Sequence, residues 1–455
     1  MSANITIKPD KPNNLETAPV NDKREIFGWT MYDWANSAFS TTVATVFLGP
    51  YITSLANAVA TTNAAGIKLV YLLGIPIAPS SFMPYCVSLS VLLQVLFLPL
   101  LGAISDYSNL RKPIFVLFAT LGALATICMF FVTDGLWWLG GLLFILANLA
   151  FGAALVCYNA YLPDIASADQ RDAVSSRGFA MGYLGGGVLL LLNLVLFLLR
   201  DRIGLDGALA VRINLASAGV WWLLFAQIAF RRLRPGQTRV ALPKGENYLT
   251  IGFKQLRHTL RDMRLFPHTL AFLIAYLFYN DGVQTVINIS STFGAEELKL
   301  DLSSLSLLIL VIQFVAFGGS FLFFWIAKKI GTKRAIMVSL VIWAILVIYA
   351  FGFLYTNAQF WLMGIVLALV LGGSQALSRS LYAQMIPSDR EAEFFSFYEI
   401  SERGTSWMGP LVFGLINQFT GSMRLGILSL IVFFVVGLVL LARTNVDKAI
   451  AEANR

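Results

Sequence analysis

The sequence predicts an all-α, polytopic membrane protein with twelve transmembrane helices arranged as two six-helix bundles. Of its 455 residues, 57% are hydrophobic and only 13% are charged, which is more apolar surface than a soluble domain can bury. Twelve apolar runs are each long enough to cross a bilayer as a helix. The longest polar connection follows the sixth run, so it divides the chain into two sets of six.

The twelve runs are separated mostly by short polar loops. They cover residues 27–55, 80–104, 113–133, 136–161, 177–199, 212–231, 266–293, 303–327, 335–355, 358–385, 394–418 and 423–442. We therefore expect two bundles with polar segments before, between and after them. The expected segments are an N-terminal tail (1–26), a first bundle (27–231), a linker (232–265), a second bundle (266–443) and a C-terminal tail (444–455).

The positions of Lys and Arg predict the orientation in the membrane. Most of the 33 basic residues lie in loops on the side that holds both termini, which predicts that this side is cytoplasmic. Because they are spread over short loops, the net charge of +8 does not indicate a nucleic-acid partner. The N-terminal tail lacks the apolar core of a signal peptide, so we expect the first helix to insert uncleaved. In the linker, residues 247–264 predict a basic amphipathic helix, either a plain tether or a lipid contact.

Residue types that carry enzyme chemistry are sparse. Cys86, Cys128 and Cys157 lie in apolar runs without the paired spacing of a disulfide framework or a thiolate metal site. Of the two histidines, His258 lies in the linker and His268 at the start of the seventh run. We therefore expect no enzyme, no cofactor and no metal site.

Three pairs of motifs indicate that the two halves are related repeats. The pairs are the tyrosine–acidic motifs at 32–33 and 279–281, the basic loops at 105–113 and 327–334, and the proline–acidic–arginine ends at 163–171 and 387–390. They occur in the same order in each half. Parallel six-helix repeats are an established layout of membrane transporters.

The loop after the second run has a recognisable pattern. Gly102 is followed by Asp106 and then by Arg111 and Lys112. This spacing resembles the loop signature of the major facilitator superfamily, which implies a role for these four residues in conformational change. The copy in the second half lacks the acidic residue.

Five further motifs resemble the family of autophagy-related vacuolar effluxers and their bacterial relatives. They are YDWANSAF (32–39), YNAYLPD (158–164), SSRGFAMGYLGGG (175–187), YNDGVQT (279–285) and GGSQALSRS (372–380). One departure is Glu402, which stands where relatives usually have glycine. The resemblance implies the major facilitator fold and amino-acid efflux.

Asp33 and Asp281 are carboxylates that lie deep inside apolar runs. Asp33 and Asp281 are costly at membrane depth, so we expect both to be used in function. Asp281 lies nearer the midplane and is the better candidate to meet substrate or carry a proton, and a purely structural role is least expected there. Asp33 has a structural alternative as an interfacial cap of its helix.

The resemblance implies that the first, fourth, seventh and tenth helices line a central cavity. The candidate substrate or proton pathway consists of Asp33, Asn36, Ser37, Tyr158, Asn159, Asn280, Asp281, Gln284 and Gln375. The alternative for the uncharged polar side chains is an ordinary hydrogen bond between helices.

Charged residues at similar depth predict a gate near the cytoplasmic side. The expected cluster is Asp33, Arg379, Glu399, Glu402 and Arg403. Carboxylates and guanidinium groups pair well, so the cluster would join the halves in one state and separate in the other. As alternatives, Glu399 and Arg403 pair only with each other, and Arg379 extends towards lipid headgroups.

These features predict a secondary active transporter that works by alternating access. We expect proton coupling, because buried carboxylates are present and a phosphate-binding loop is absent. The resemblance alone implies the substrate, amino acids or related small polar metabolites, and the outward direction. The alternative left open is a non-transporting membrane receptor or a lipid scramblase on the same fold. We expect a monomer in the bacterial inner membrane, with both termini cytoplasmic, whose partners are a small-molecule substrate, protons or another coupling ion, and membrane lipids.

Overall fold

The protein is a bundle of long helices, seen in a computed structural model. The structure describes residues 20–63, 66–107, 110–167, 170–235, 254, 261, 266–386, 398, 401 and 407–453. The helices of the first half are α1 (Lys23–Val59), α2 (Pro79–Tyr107), α3 (Arg111–Cys128), α4 (Trp137–Asn159), α5 (Arg171–Leu199) and α6 (Gly207–Arg232). Those of the second half are α7 (Pro267–Glu297), α8 (Leu302–Ile330), α9 (Thr332–Gly352), α10 (Asn357–Gln384), α11 (Met408–Thr420), α12 (Met423–Arg443) and the short α13 (Val446–Ala453).

Helices α1 to α12 follow the twelve predicted runs. Among the described residues, ten helices are long and apolar enough to cross a membrane. The two remaining predicted spans correspond to α8 and α11. Helix α8 has 29 residues, and the structure describes the span of α11 mainly from residue 407 onwards. Of the amphipathic linker helix, only Lys254 and Arg261 are described, both as helical, so that prediction lies largely outside the described residues.

Polar caps explain why several helices begin where they do. Asp206 accepts a hydrogen bond from the backbone N–H of Leu209 (2.6 Å) at the start of α6. Asp301 caps α8 in the same way, and Thr356 with Gln359 forms a capping box on α10. Gly331, at a positive φ of 89°, allows the sharp turn between α8 and α9.

The helices form two bundles with separate cores. In the first, α1 packs against α5 and α6, and in the second α7 packs against α12 and α8 against α10. The first core includes Tyr32, Phe115, Tyr158 and Trp222, and the second includes Tyr279, Trp343, Tyr382 and Phe434. The bundles meet through α1 with α7, α2 with α11 and α5 with α8.

In each bundle, the first and the last residues of the chain segment lie on the same side of the molecule. Asp22, just before α1, lies 3.3 Å from Arg234, just after α6, and His268 in α7 lies 3.9 Å from Glu452 in α13. We call this end of the molecule the terminal side and the other end the far side.

Two features of the first half were not predicted from the sequence. The loop between α1 and α2 contains a three-stranded antiparallel sheet of β1 (Thr61–Thr62), β2 (Lys68–Leu72) and β3 (Ile75–Ile77). Leu73 and Gly74, both at positive φ, form the tight turn between β2 and β3. In addition, Phe39–Phe47 within α1 is a π-helix, a wide turn that often occurs at functional sites.

Candidate functional site

Asp33 is held by an aromatic cluster between α1 and α4. The Tyr158 hydroxyl donates a hydrogen bond to Asp33 Oδ2 at 2.7 Å. Trp29 Nε1 donates in turn to the backbone carbonyl of Tyr158 (3.0 Å), and the two rings stack with centroids 4.4 Å apart. These contacts fix the position of the carboxylate relative to both helices.

A glycine face on α5 makes room for the polar side chains of α1. A Cβ atom on Gly178 would overlap Asp33 Oδ2, and one on Gly182 would lie 2.7 Å from Ser37 Oγ. Glycines four residues apart allow two membrane helices to approach closely. The glycine motif at 175–187 therefore allows α5 to pack directly on the side of α1 that carries Asp33 and Ser37.

One face of α1 is polar and accessible. Asp33, Ser37 and Ala44 are partly exposed and Ser40 is exposed, and residues three or four positions apart share a face of a helix. Ala44 and its neighbour Thr45 line small cavities between the two halves of the molecule. This face, which we call the α1 stripe, runs from the terminal half of α1 into the boundary between the bundles.

Asn36 lies elsewhere on α1. It is 3% exposed, and its Nδ2 has no hydrogen-bond partner in the described part of the chain. One turn away, Tyr32 is fully buried against Phe115 of α3. Both side chains therefore belong to the core of the first bundle, and a pathway role for Asn36 stays a prediction.

In the second half, Asp281 caps a helix. It is fully buried, and its Oδ2 accepts a hydrogen bond from the backbone N–H of Gly409 (2.9 Å) in the first turn of α11. A carboxylate is stabilised at a helix N-terminus, where backbone N–H groups lack partners. Asp281 Oδ1 has no partner among the residues that the structure describes. Asp281 thus has a structural contact that the sequence did not predict, and a role with substrate or protons stays a prediction.

The other predicted pathway residues differ in their exposure. Ser37, Asn159, Gln284 and Gln375 are partly exposed, as is Asp33. Asn36, Tyr158, Asn280 and Asp281 are buried. The two sets therefore differ in the exposed fraction of their side chains.

A cavity of about 80 Å³ lies where α1, α7, α8 and α10 meet. Its walls are mainly aliphatic, with hydroxyl groups from Thr45, Ser290 and Ser291 and an amide from Gln313. Ser291 is 1% exposed, and its hydroxyl has no partner among the described residues. The sequence reasoning missed these four polar residues. The sequence signal for Thr45, Ser290 and Ser291 was their position in short hydroxyl-rich stretches within apolar runs, whereas Gln313 is a single amide in an apolar stretch.

The predicted charge gate is only partly described. Arg379 lies on α10 and is exposed, and Asp33 is bound by Tyr158. Glu399, Glu402 and Arg403 lie outside the described residues. The gate cluster therefore stays a prediction.

The loop motif joins three helices on the terminal side. Arg111 is 5% exposed and forms an ion pair with Asp164 through Nη1 and Oδ2 (2.6 Å). Lys112 Nζ donates to the backbone carbonyl of Leu233 (2.6 Å) just after α6. Gly102 and Asp106 lie in the last turns of α2, where the structure does not describe side chains.

Comparison with known proteins adds to this geometry. The family described as "Vacuole effluxer Atg22 like" matches residues 21–454. The chain belongs to this family. The MFS-type transporter YxiO of Bacillus subtilis is similar, with 32% identity over 91% of this chain and 93% of that protein. Autophagy-related protein 22 of Yarrowia lipolytica is 26% identical over 84% of this chain and 78% of its own length.

Solved structures support the fold of this Atg22-like chain. A bacterial homologue of the human lysosomal transporter Spinster, in an inward-facing and unoccupied conformation, superposes with a TM-score of 0.66 at 13% identity, covering 94% of this chain and 97% of its own. A D-xylose–proton symporter gives a TM-score of 0.64 at 12% identity, covering 92% and 96%. The chain therefore has the major facilitator fold, and its homologues are membrane transporters rather than enzymes.

Proposed function

We propose that this protein is a secondary active transporter that moves amino acids or related small polar metabolites outward by alternating access, coupled to protons. The observation that carries the proposal is the α1 stripe. Asp33, Ser37 and Ser40 form an accessible polar track inside a membrane helix, and the track leads to cavities between the two halves. Polar groups at this depth are costly, which favours a role in solute passage.

The cavity supports a solute with both polar and apolar parts. Its aliphatic walls suit the side chain of an apolar amino acid, and the Ser291 hydroxyl is available to a polar group. Asp33 lies twelve residues before Thr45, roughly 16–18 Å along α1, so its carboxylate suits the ammonium group of a solute that has not yet reached the cavity. An amino acid carries an ammonium group for this first contact and has polar and apolar groups for the cavity.

Proton coupling is supported by two carboxylates that lie deep within long apolar helices, Asp33 and Asp281. Asp33 and Asp281 lie in α1 and α7, and the sequence contains no phosphate-binding loop that would indicate ATP as the energy source. The basic loops favour a cytoplasmic terminal side. The protein then acts as a monomer in the bacterial inner membrane with both termini in the cytoplasm.

Transport by the purified protein in proteoliposomes tests the proposal. A panel of labelled amino acids is followed with and without a pH gradient, and we expect at least one to move faster under the gradient. Asp33→Asn should abolish this movement, whereas the matched control Asp201→Asn, in an exposed turn, should retain it. Movement of lipid reporters with no solute movement under any gradient would identify a scramblase and refute the proposal.

A further inference from the structure

On the far side, two consecutive amide side chains at the end of α11 form hydrogen bonds to the first half of the molecule. One binds the start of α2, and the other binds the end of β3. Asn417 Nδ2 donates to Ser80 Oγ and to Ser81 Oγ, each at 2.8 Å, and Asn417 is 1% exposed. Ser81 Oγ donates back to the carbonyl of Gly414 (3.0 Å). These contacts connect the second bundle to the first.

Gln418 binds the β-sheet of the first half. Its Oε1 accepts a hydrogen bond from the Ala78 N–H (2.6 Å), and its Nε2 donates to the Pro76 carbonyl (2.9 Å). The amide therefore bonds to the backbone at the end of β3 as a neighbouring strand would. We call Asn417 and Gln418, together with residues 76–81, the far-side latch.

The chemistry of the far-side latch suits a contact that must break and re-form. All its donors and acceptors are neutral amides, hydroxyls and backbone groups. Water can replace such partners on opening, so each bond contributes little net free energy, whereas separating a buried ion pair is costly. A latch of several weak bonds holds the closed state and still allows it to open.

The helix that carries the latch is also held at its other end. The Trp407 carbonyl, just before α11, accepts from Ser88 Oγ of α2 (2.9 Å), and the Gly409 N–H donates to Asp281. With 13 residues, α11 is a rod of about 20 Å. A displacement at the Asp281 end therefore reaches Asn417 and Gln418.

We propose that Asn417 and Gln418 hold the far side of this transporter closed and that their release opens the solute pathway to that side. The proposal rests on the alternating-access function proposed above. The latch uses neutral side chains and is separate from the charged cluster expected near the terminal side.

Cysteine labelling tests the latch without any knowledge of the solute. In a background with the three native cysteines replaced, Thr292→Cys places a buried reporter against Gly49 between the halves, and Ser40→Cys places one on the α1 stripe. A membrane-impermeant maleimide is applied from the far side for the first reporter and from the terminal side for the second. Labelling rates are then compared between the parent and the latch variants.

Removal of the latch bonds should change the labelling rates of the two reporters in opposite directions. Gln418→Met and Asn417→Leu keep side-chain size but remove the bonds, and together they should raise labelling at Thr292→Cys by about tenfold while slowing it at Ser40→Cys. The matched control is Gln384→Met, because Gln384 bonds, within the described part of the chain, to the nearby carbonyl of Ser380 (3.2 Å), and it should change neither rate. If the double variant does not fold, each single variant should give a smaller shift in the same directions.

Two results would overturn the proposal. An unchanged rate at Thr292→Cys would show that the bonds do not hold the far side closed. An equal rise at both reporters would show general loosening rather than gating. Labelling needs no solute. If no solute is transported but the two labelling rates change in opposite directions, the proposed function is refuted and the latch proposal stands.

Discussion

The hydroxyl of Tyr158 lies 2.7 Å from Asp33 Oδ2 and donates a hydrogen bond to it. The two residues are 125 positions apart in the sequence, and each lies in a motif that resembles those of the family. The bond joins α1 to α4 and gives the carboxylate a partner within the first bundle. The bond therefore helps to fix the position of Asp33 relative to α4.

We expect Tyr158→Phe to lower the free energy of unfolding by about 1–2 kcal/mol, because the Asp33 carboxyl group loses one hydrogen bond. The phenylalanine ring keeps the stack on Trp29, so packing is preserved. Denaturant unfolding in detergent measures the change. Tyr71→Phe, at an exposed position on β2, is the control and should have no effect. Equal stability of the two variants would contradict the assigned bond.

Gly178→Ala should destabilise the first bundle by about 1–3 kcal/mol, because the added methyl group overlaps Asp33 and the Trp29 ring and forces α5 away from α1. Gly187→Ala on the same helix is the matched control, since nothing lies within 4 Å of its added Cβ. Alanine is the better helix former, so the control should be neutral or slightly stabilising. Thermal unfolding of both variants checks the difference in sign, and a stabilising Gly178→Ala would refute the close packing.

Two substitutions of Asp281 distinguish its role as a helix cap from a role in carrying protons. They are Asp281→Asn and Asp281→Ala. Asparagine keeps an acceptor for the Gly409 N–H, whereas alanine leaves this buried donor without a partner and should cost about 1–3 kcal/mol of stability. If Asp281 carries the coupling proton, Asp281→Asn should fold normally and transport down a solute gradient, but should not respond to a pH gradient. A pH-driven rate equal to that of the parent would assign Asp281 to the cap alone.

Arg424 closes the far end of the second bundle. It binds Glu297 (2.9 Å), the carbonyls of Ala350 and Phe351 in the last turn of α9, and the carbonyl of Leu354 just after that helix. Arg424→Met should lower stability by about 3 kcal/mol, because it leaves a partly buried carboxylate without its partner. Arg202→Met, an exposed arginine in the turn after α5, is the control and should change little. Unfolding measured by tryptophan fluorescence compares the two, and equal stability would rule out this role.

Much of the fold could be predicted because membrane helices are encoded locally. A run of about twenty apolar residues must form a helix in a bilayer, whatever lies beside it. The predicted and observed bounds of α3, α6 and α9 accordingly differ by only a few residues. The sheet between α1 and α2 was missed because its strands are only two to five residues long and are bonded partly by Gln418, far away in the sequence.

The sequence by itself determined the number and approximate positions of the helices, and it placed Asp33 and Asp281 within long apolar helices. Only the tertiary structure decided which way each polar side chain faces. Asn36 and Ser37 are neighbours in the sequence, yet one is buried in the first bundle and the other lies on the α1 stripe. Likewise, Arg111 pairs with Asp164 and Gln418 with β3. The physical reason is that lipid and protein interior are both apolar, so a membrane helix carries little periodic signal for the face that it buries, and contacts with distant helices set that face.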